Sequence, residues 1–258
     1  MTATLEADID RKLLIDGLGK GLRVIEAFSG QHTRLTSTEA GRMTGLTRTA
    51  ARRYLVSLVH FGYADTDGKF YWLLPRVLRL GQSYLAAARL PRLVQPFLQR
   101  LSLQVGETAN ASVLDGHEIV YIVRSNSPRV VSIGFHVGAR MPAHVVAPGF
   151  AILSTFAGGN LQTWIDAHEF ERFTPHTITD PARFRERVLE ARELGYAFAD
   201  QYIDFGLCGL SVPLTDRKGR CVGALGMTLQ RPGHPGDGPV LKLLPALQDA
   251  VQALRAIV

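Results

Sequence analysis

Residues 35–74 gather hydroxyls, arginines and an aromatic-flanked turn into one stretch, LTSTEAGRMTGLTRTAARRYLVSLVHFGYADTDGKFYWLL. These residue types recognise a polyanion; they do not make or break bonds. Arg48, Arg52 and Arg53 recur on or near one side of a helical segment. A guanidinium bonds guanine through two parallel hydrogen bonds, and Ser or Thr hydroxyls meet phosphate or base edges. Thr47 and Thr49 stand at the start of that segment, and Thr36 and Ser37 open the one before it. Lys69 falls at a turn where it can approach phosphate. The expected DNA contacts are therefore Thr36, Ser37, Thr47, Arg48, Thr49, Arg52, Arg53 and Lys69.

The elements that must hold these side chains are legible from local rules. Thr36 and Glu39 have the spacing of a capping box, which starts a short helix running to about Thr44. Gly45 suits the left-handed conformation of the turn that follows, and Thr47 is placed to cap the next helix. Ala51, Leu55, Leu58 and Val59 repeat at helical spacing and should face the core. Asp67-Gly68, between Tyr63 and the Phe70-Tyr71-Trp72 run, signals a β-hairpin. Helix, turn, basic helix and hairpin in this order make a winged helix-turn-helix. Residues 17–28 should form a preceding helix with Leu18, Leu22, Ile25 and Phe28 on its inner face.

Composition is compatible with this reading. The 258 residues, 46% hydrophobic, suffice for two ordinary domains. Residues 1–90 carry 13 Lys/Arg against 8 Asp/Glu, whereas residues 91–258 carry 16 against 15. The excess positive charge thus sits with the helix-turn-helix, where phosphate attraction needs it. No apolar run approaches the ~20 residues that cross a bilayer. The acidic N-terminus lacks the apolar region of a signal peptide. Cys208 and Cys221 fit no metal or redox spacing, and a reducing cytoplasm is expected.

Several blocks resemble the IclR family of bacterial transcriptional regulators. They are Gly19–Phe28, Leu46–Leu55, Leu58–Tyr63, a linker-like Pro75–Gly81, and the region from Gly195-Tyr196-Ala197 through Gly206-Leu207 to Val212–Asp216. The resemblance covers roughly residues 15–255. The Ala-Ala-Arg-Arg wording, with Asp200-Gln201 later, is most similar to the subgroup controlling catabolism of protocatechuate and 4-hydroxybenzoate. It implies an α+β chain: a tail over 1–14, a winged helix-turn-helix over 15–74, a linker helix over 75–90, and over 91–258 a GAF-like effector-binding and oligomerisation domain. Residues of that last part read as a mostly antiparallel sheet covered by helices. Helices are expected over 92–105, 149–157, 160–168, 181–194 and 239–257, and strands over 109–114, 118–124, 130–135, 197–200, 208–213 and 222–229.

By the same resemblance, the effector pocket draws on the loop around His144, Val146 and Gly149, on Ala199, Tyr202, Gly209 and Ser211, and on Gly226 and Thr228. Ala199 stands where the family usually has an acidic residue or Ser, Tyr202 where it has Glu, and Gly209 where it has Cys, Ser or Ala. The implied pocket is roomier and less acidic, which suits an aromatic ring. A carboxylate on that ring needs a cation or donors, and Arg124, Arg140 and His144 are candidates. A non-aromatic keto acid is the alternative effector. An enzyme domain fused to a winged helix is the remaining one, although no paired base and nucleophile, no His-Glu-x-x-His and no G-x-S-x-G motif is present. No cofactor or metal is implied. The partners implied are a double-stranded, palindromic operator and further copies of the chain, as a dimer or dimer of dimers joined through residues 17–28 and 75–90.

Overall fold

The computed structural model describes residues 13–126, 135–230 and 242–258. The chain divides into two compact units, Met1–Ala86 and Ala87–Val258. The first contains α1 (Asp16–Glu26), β1 (Leu35–Thr36), α2 (Ser37–Thr44), α3 (Arg48–His60), β2 (Ala64–Thr66) and β3 (Phe70–Leu73). The capping box of α2 is formed in full. Thr36 Oγ1 accepts from the Glu39 backbone N–H at 3.3 Å, and Glu39 Oε2 accepts from that of Thr36 at 2.7 Å. Gly45 turns the chain at φ +69°, a value costly for any residue with a Cβ. Ala51 and Leu55 of α3 are buried, with Leu58 and Val59 partly buried behind them.

The wing has a third strand beyond the expected hairpin. The two residues of β1 pair antiparallel with β3, giving the order β1-β3-β2. The inner face of α1 also departs from expectation. Val24 and Ala27 are buried, whereas Leu18 is 64% and Leu22 44% exposed. The physical reason is a glycine edge: a Cβ at Gly17 or Gly21 would sit 3.7 Å from the Tyr54 side chain. The helix lies close to α3 along that edge, which turns the leucine stripe outward.

A 3-10 turn over Pro75–Val77 leads into α4 (Leu78–Ala87), which exposes Leu78, Leu80 and Tyr84. The helical segment expected to run to residue 90 breaks at Ala88, whose ψ is +123°. A second helix, α5, then spans Arg89–Val105. Pro91 lies within its first turn, where the missing N–H has no partner to lose, so the proline sits inside a helix start and does not end one.

The second unit is a six-stranded sheet between two helical layers. Its strands are β4 (Thr108–Asp115), β5 (Glu118–Ser125), β6 (Arg140–Pro142), β7 (Ala197–Asp200), β8 (Leu207–Thr215) and β9 (Cys221–Gln230), in the order β6-β5-β4-β9-β8-β7, every pair antiparallel. One face packs against α5 and the final helix α9 (Leu244–Arg255) through Val94, Leu98, Leu247 and Val251. The other carries α6 (Ala147–Leu153), α7 (Gly158–Asp166) and α8 (Pro181–Leu194), with Phe150, Trp164 and Phe184 at their common core. Asp180 caps α8 through the Ala182 N–H at 2.8 Å, Pro181 stands in its first turn, and Gly195 closes it. The edge strand β6 was not expected. The strand expected over 130–135 and the beginning of the helix expected from Pro239 lie outside the described residues, apart from Phe135, and α9 begins only at Leu244.

Candidate nucleic-acid interface and effector cavity

Helix α3 presents Arg48, Thr49, Arg52 and Arg53 to solvent on one side and its buried Ala51 and Leu55 on the other. Thr47 Oγ1 accepts from the Ala50 N–H at 3.2 Å, so this hydroxyl fixes the helix start. The first turn contains no acidic residue and begins with Arg48. Cations at a helix N-terminus oppose the macrodipole by about 0.3–1 kcal/mol. A helix end that gathers positive charge in this way is poised for an anion. Thr36 is committed differently: its hydroxyl donates to Glu39 Oε2 at 2.8 Å and accepts from the Glu39 N–H, which leaves it a capping residue. Ser37 is half-buried at the start of α2, and Lys69 is exposed at the wing tip, its Nζ 5.1 Å from the Phe70 ring centre. Asp67 shapes that tip by accepting from the N–H groups of Lys69 and Phe70. Sequence reading missed Arg34. Its guanidinium lies 4.2 Å from the centre of the Trp72 ring and 3.8 Å from Asp67, which adds a cation to the wing.

In the second unit, a cavity of about 390 Å³, counted to its open mouth, lies between the sheet and the segment 145–148 that enters α6. Val146, Ala199, Tyr202, Gly209 and Thr228 line it, together with Asn110, Tyr121, Phe135 and Ile203, which sequence reading did not single out. The sheet makes room by carrying small residues. Gly209 pairs with Ala199 on β7 and with Thr228 on β9, and Ala147 lies over it. Tyr202 closes one side and hydrogen-bonds Arg187 of α8; burial raises its phenol pKa. The loop holding Tyr202 begins at Gln201, whose φ of +60° is left-handed without glycine. Thr174 donates to the Gln201 carbonyl and Thr177 to that of Tyr202, both at 2.6 Å, and these bonds hold the strained turn.

Six expected site residues lie outside the cavity lining. Ser211 donates to the Leu225 carbonyl at 2.8 Å within the sheet. Gly226 and Gly149 are sites of close backbone approach. A Cβ on Gly226 would lie 3.1 Å from the Leu210 carbonyl oxygen, and one on Gly149 only 1.9 Å from that of Ala143. Arg140 belongs to edge strand β6, where Asp115 and Glu118 each accept from it, at 2.8 and 2.7 Å. Arg124 sits opposite Asn110 across β4–β5, so both share a face of the sheet. It donates to the carbonyl of cavity-lining Phe135 at 2.6 Å and to Asn126. Arg140 is engaged at the sheet edge and His144 is buried behind the wall, whereas Arg124 bonds a lining residue directly.

His144 is fully buried behind the cavity wall in a chain of three imidazoles. Its Nε2 meets the Glu171 carbonyl at 2.9 Å, and a carbonyl can only accept, so Nε2 carries the proton. Nδ1 of His144 then accepts from Nε2 of His168 at 2.7 Å, and Nδ1 of His168 accepts from Nδ1 of His117 at 3.2 Å. His144 and His168, each accepting through Nδ1, are neutral in this arrangement. His168, stacked on Trp164 at 4.4 Å, has its pKa pushed down to about 4 by burial first and by its two histidine neighbours second. An unfolded histidine titrates near 6.5, so between pH 6.5 and 4 the unfolded chain binds more protons than the folded one. Stability from this group is complete above pH 6.5 and is lost as pH falls toward 4. Tm measured from pH 7 to 4.5 should fall, and His168→Gln should flatten that slope. Parallel slopes for the two proteins would contradict the neutral chain. Among the described residues no group of three or more His, Cys, Asp or Glu is arranged to hold a metal. Cys208 and Cys221 form no disulfide. No described helix is long and apolar enough to cross a membrane.

Comparison with known proteins finds matches along most of the chain. Residues 17–68 match the IclR helix-turn-helix domain, and residues 82–256 match the bacterial transcriptional regulator IclR C-terminal domain. The chain is 38% identical over 249 residues to the p-hydroxybenzoate hydroxylase transcriptional activator of Acinetobacter baylyi, covering 95% of this chain and 92% of that protein. It is 32% identical over 247 residues to the Pca operon regulatory protein of the same organism, covering 94% and 89%. Among solved structures, the inducer-binding domain of a PobR double mutant from Acinetobacter, in complex with 3-hydroxybenzoic acid, superposes with a TM-score of 0.61 at 32% identity, over 66% of this chain and all of that one. With a helix-turn-helix and an effector-type domain both matched along its length, the chain belongs to the IclR family of DNA-binding bacterial transcriptional regulators and is not an enzyme.

Proposed function

We propose that this regulator answers to a small monocyclic aromatic acid of the hydroxybenzoate type, bound in the cavity of residues 87–258. The observation that carries the reading is its 38% identity, along nearly the whole chain, to an activator of p-hydroxybenzoate hydroxylase expression. The lining supports it physically: Tyr121, Phe135 and Tyr202 supply aromatic walls, and Ala199 and Gly209 add little side-chain bulk of their own. Burying about 150–200 Å² of ring contributes roughly 4–5 kcal/mol. Arg124, partly desolvated on the same side, is the cation proposed for the carboxylate, adding about 1.5–3 kcal/mol. After association costs, affinity in the micromolar range is expected.

The DNA side is proposed at Arg48, Thr49, Arg52 and Arg53 in the major groove, with Arg34 and Lys69 of the wing near phosphate. The outward stripe of Leu18 and Leu22 and the exposed Leu78, Leu80 and Tyr84 fit a second copy of the chain, so that two half-sites of a palindromic operator are held together. Light scattering that finds a monomer at micromolar concentration would contradict this. Such a regulator works in the cytoplasm. Effector binding acts by favouring one arrangement of the DNA-binding units over another. Titration calorimetry of the full chain tests the effector. Binding of 4-hydroxybenzoate is expected, and its loss in Gly209→Leu, where the added side chain fills the cavity beside Ala147. Binding of glyoxylate or pyruvate but of no benzoate derivative would overturn the reading. Gly226 is not an equivalent test position: a Cβ there would lie 3.1 Å from both Asn110 Oδ1 and the Leu210 carbonyl oxygen of β8, so bulk perturbs the sheet itself.

A further inference from the structure

One polar side chain in the cavity stands apart from the rest. Asn110 lies on β4, a central strand of the sheet, and is only 3% exposed. Its Nδ2 donates to Thr228 Oγ1 on the neighbouring strand at 3.1 Å. Its Oδ1 is buried and has no hydrogen-bonding partner among the described residues. Asn110 and Thr228 both line the cavity. On its own face of β4, Asn110 stands between Thr108 and Ser112, both buried and polar, and neither of these two lines the cavity. Leaving such a carbonyl buried and unbonded is costly, and buried side-chain acceptors are partnered in the large majority of cases.

Thr228 Oγ1 accepts from Nδ2, so the end of the amide left without a partner is the acceptor Oδ1. A carboxylate, which only accepts, finds no complement in it. A hydroxyl, which donates, does. The β4–β9 register places Asn110 against Gly226 and two residues along from Thr228, on the same face, so the amide is held by strand geometry.

We propose that Asn110, oriented by Thr228, is the hydroxyl-reading residue of this cavity: its Oδ1 accepts the ring hydroxyl of a hydroxylated aromatic acid and so discriminates against the unsubstituted acid. The proposal rests on the aromatic-acid reading of the cavity. A site that binds a hydroxyl through a buried polar group rejects the analogue lacking it, because the group is then left unpaired. Asn110 is thus a specificity determinant, while the ring walls and Arg124 supply affinity common to both ligands.

The test is calorimetry of the full-length protein with 4-hydroxybenzoate, 3-hydroxybenzoate and benzoate. The wild type should bind its better hydroxybenzoate about tenfold to a hundredfold more tightly than benzoate. Asn110→Leu, close in volume, should weaken that hydroxybenzoate at least about tenfold and leave benzoate within about threefold, collapsing the ratio. Thr228→Val should lower the ratio partially, since the amide is then free to turn. Should Asn110→Leu fail to fold, as judged by Tm, Asn110→Ala removes the same acceptor without added branching. A wild type that does not distinguish benzoate from either hydroxybenzoate, or an Asn110 variant that keeps the full ratio, overturns the role of Asn110 and leaves the aromatic-acid reading intact. Binding of no aromatic acid at all removes that reading, and the proposal with it.

Discussion

Replacing Arg52 and Arg53 together with alanine is expected to lower affinity for operator DNA by about a hundredfold or more, with little change in Tm. A guanidinium bonding a base bidentately contributes about 1–3 kcal/mol, and a phosphate contact adds one unit to the salt slope. Both side chains are exposed on α3, and neither takes part in an ion pair within the described residues, so truncation removes nothing from the core. The experiment uses DNA that the wild-type protein selects from a random pool, titrated at several salt concentrations. If the lost contacts are to phosphate, log affinity should fall less steeply with log salt in the variant, and binding to unrelated DNA should weaken in parallel. If they are to bases, affinity for the selected site should fall and that for unrelated DNA should hold. The same titration counts protomers per site, and two or more are expected. A correctly folded double variant with unchanged affinity would remove α3 as the reading element. The expected size follows from the helix end itself, which lacks an acidic residue, starts with Arg48 and carries three arginines within six residues.

The winged unit was legible where its rules are local. Thr36 and Glu39 are three residues apart, Gly45 must be left-handed, and Asp67-Gly68 sits between aromatic runs; each signal acts within one turn of chain. Helix α8, bracketed by Asp180-Pro181 and Gly195, was readable for the same reason. What escaped depends on contacts between distant segments. The outward turn of Leu18 and Leu22 follows from glycines meeting Tyr54 more than thirty residues on. Arg34 joins the wing only because β1 pairs with β3. Arg140 looked like a free cation because Asp115 and Glu118 reach it only across β5–β6. His144 looked like a possible ligand contact because His168 and His117, which occupy its ring, come from separate elements. The cavity was legible in part. Family resemblance pointed to Val146, Ala199, Tyr202, Gly209 and Thr228, but nothing in the local sequence marks Asn110, a single amide in an otherwise ordinary strand. Its meaning arises from the β4–β9 register that sets it beside Thr228.

Gly149→Ala should destabilise the second unit by about 3 kcal/mol or more, although only one methyl group is added. The sequence resemblance makes Gly149 a pocket residue; the structure makes it the joint that shapes the pocket wall. Its N–H donates to the Val146 carbonyl at 3.0 Å, closing the turn from the 3-10 segment over Ala143–Val145 into α6. In that turn a Cβ would lie 1.9 Å from the Ala143 carbonyl oxygen, 2.6 Å from its carbon and 2.8 Å from its Cα. All three are backbone atoms, so no rotamer change relieves the overlap. The main chain of 143–149 must shift, in a region where His144, Val145, Ala147 and Phe150 are all buried and close-packed. Val145, Val146, Ala147 and Pro148 form the cavity wall, so the same shift deforms the binding site. At about 2–4 °C per kcal/mol for a unit of this size, Tm should drop by roughly 6–12 °C. Binding of 4-hydroxybenzoate should weaken with it. Gly209→Ala is the matched control, because its added Cβ lies 3.2 Å from the Ala147 Cβ, an overlap of a few tenths of an ångström against the far deeper one at Gly149. That variant should stay within about 1 kcal/mol of wild type. Equal Tm values for the two variants would show that the 143–149 backbone yields freely, and that the close approach at Gly149 does not set the wall.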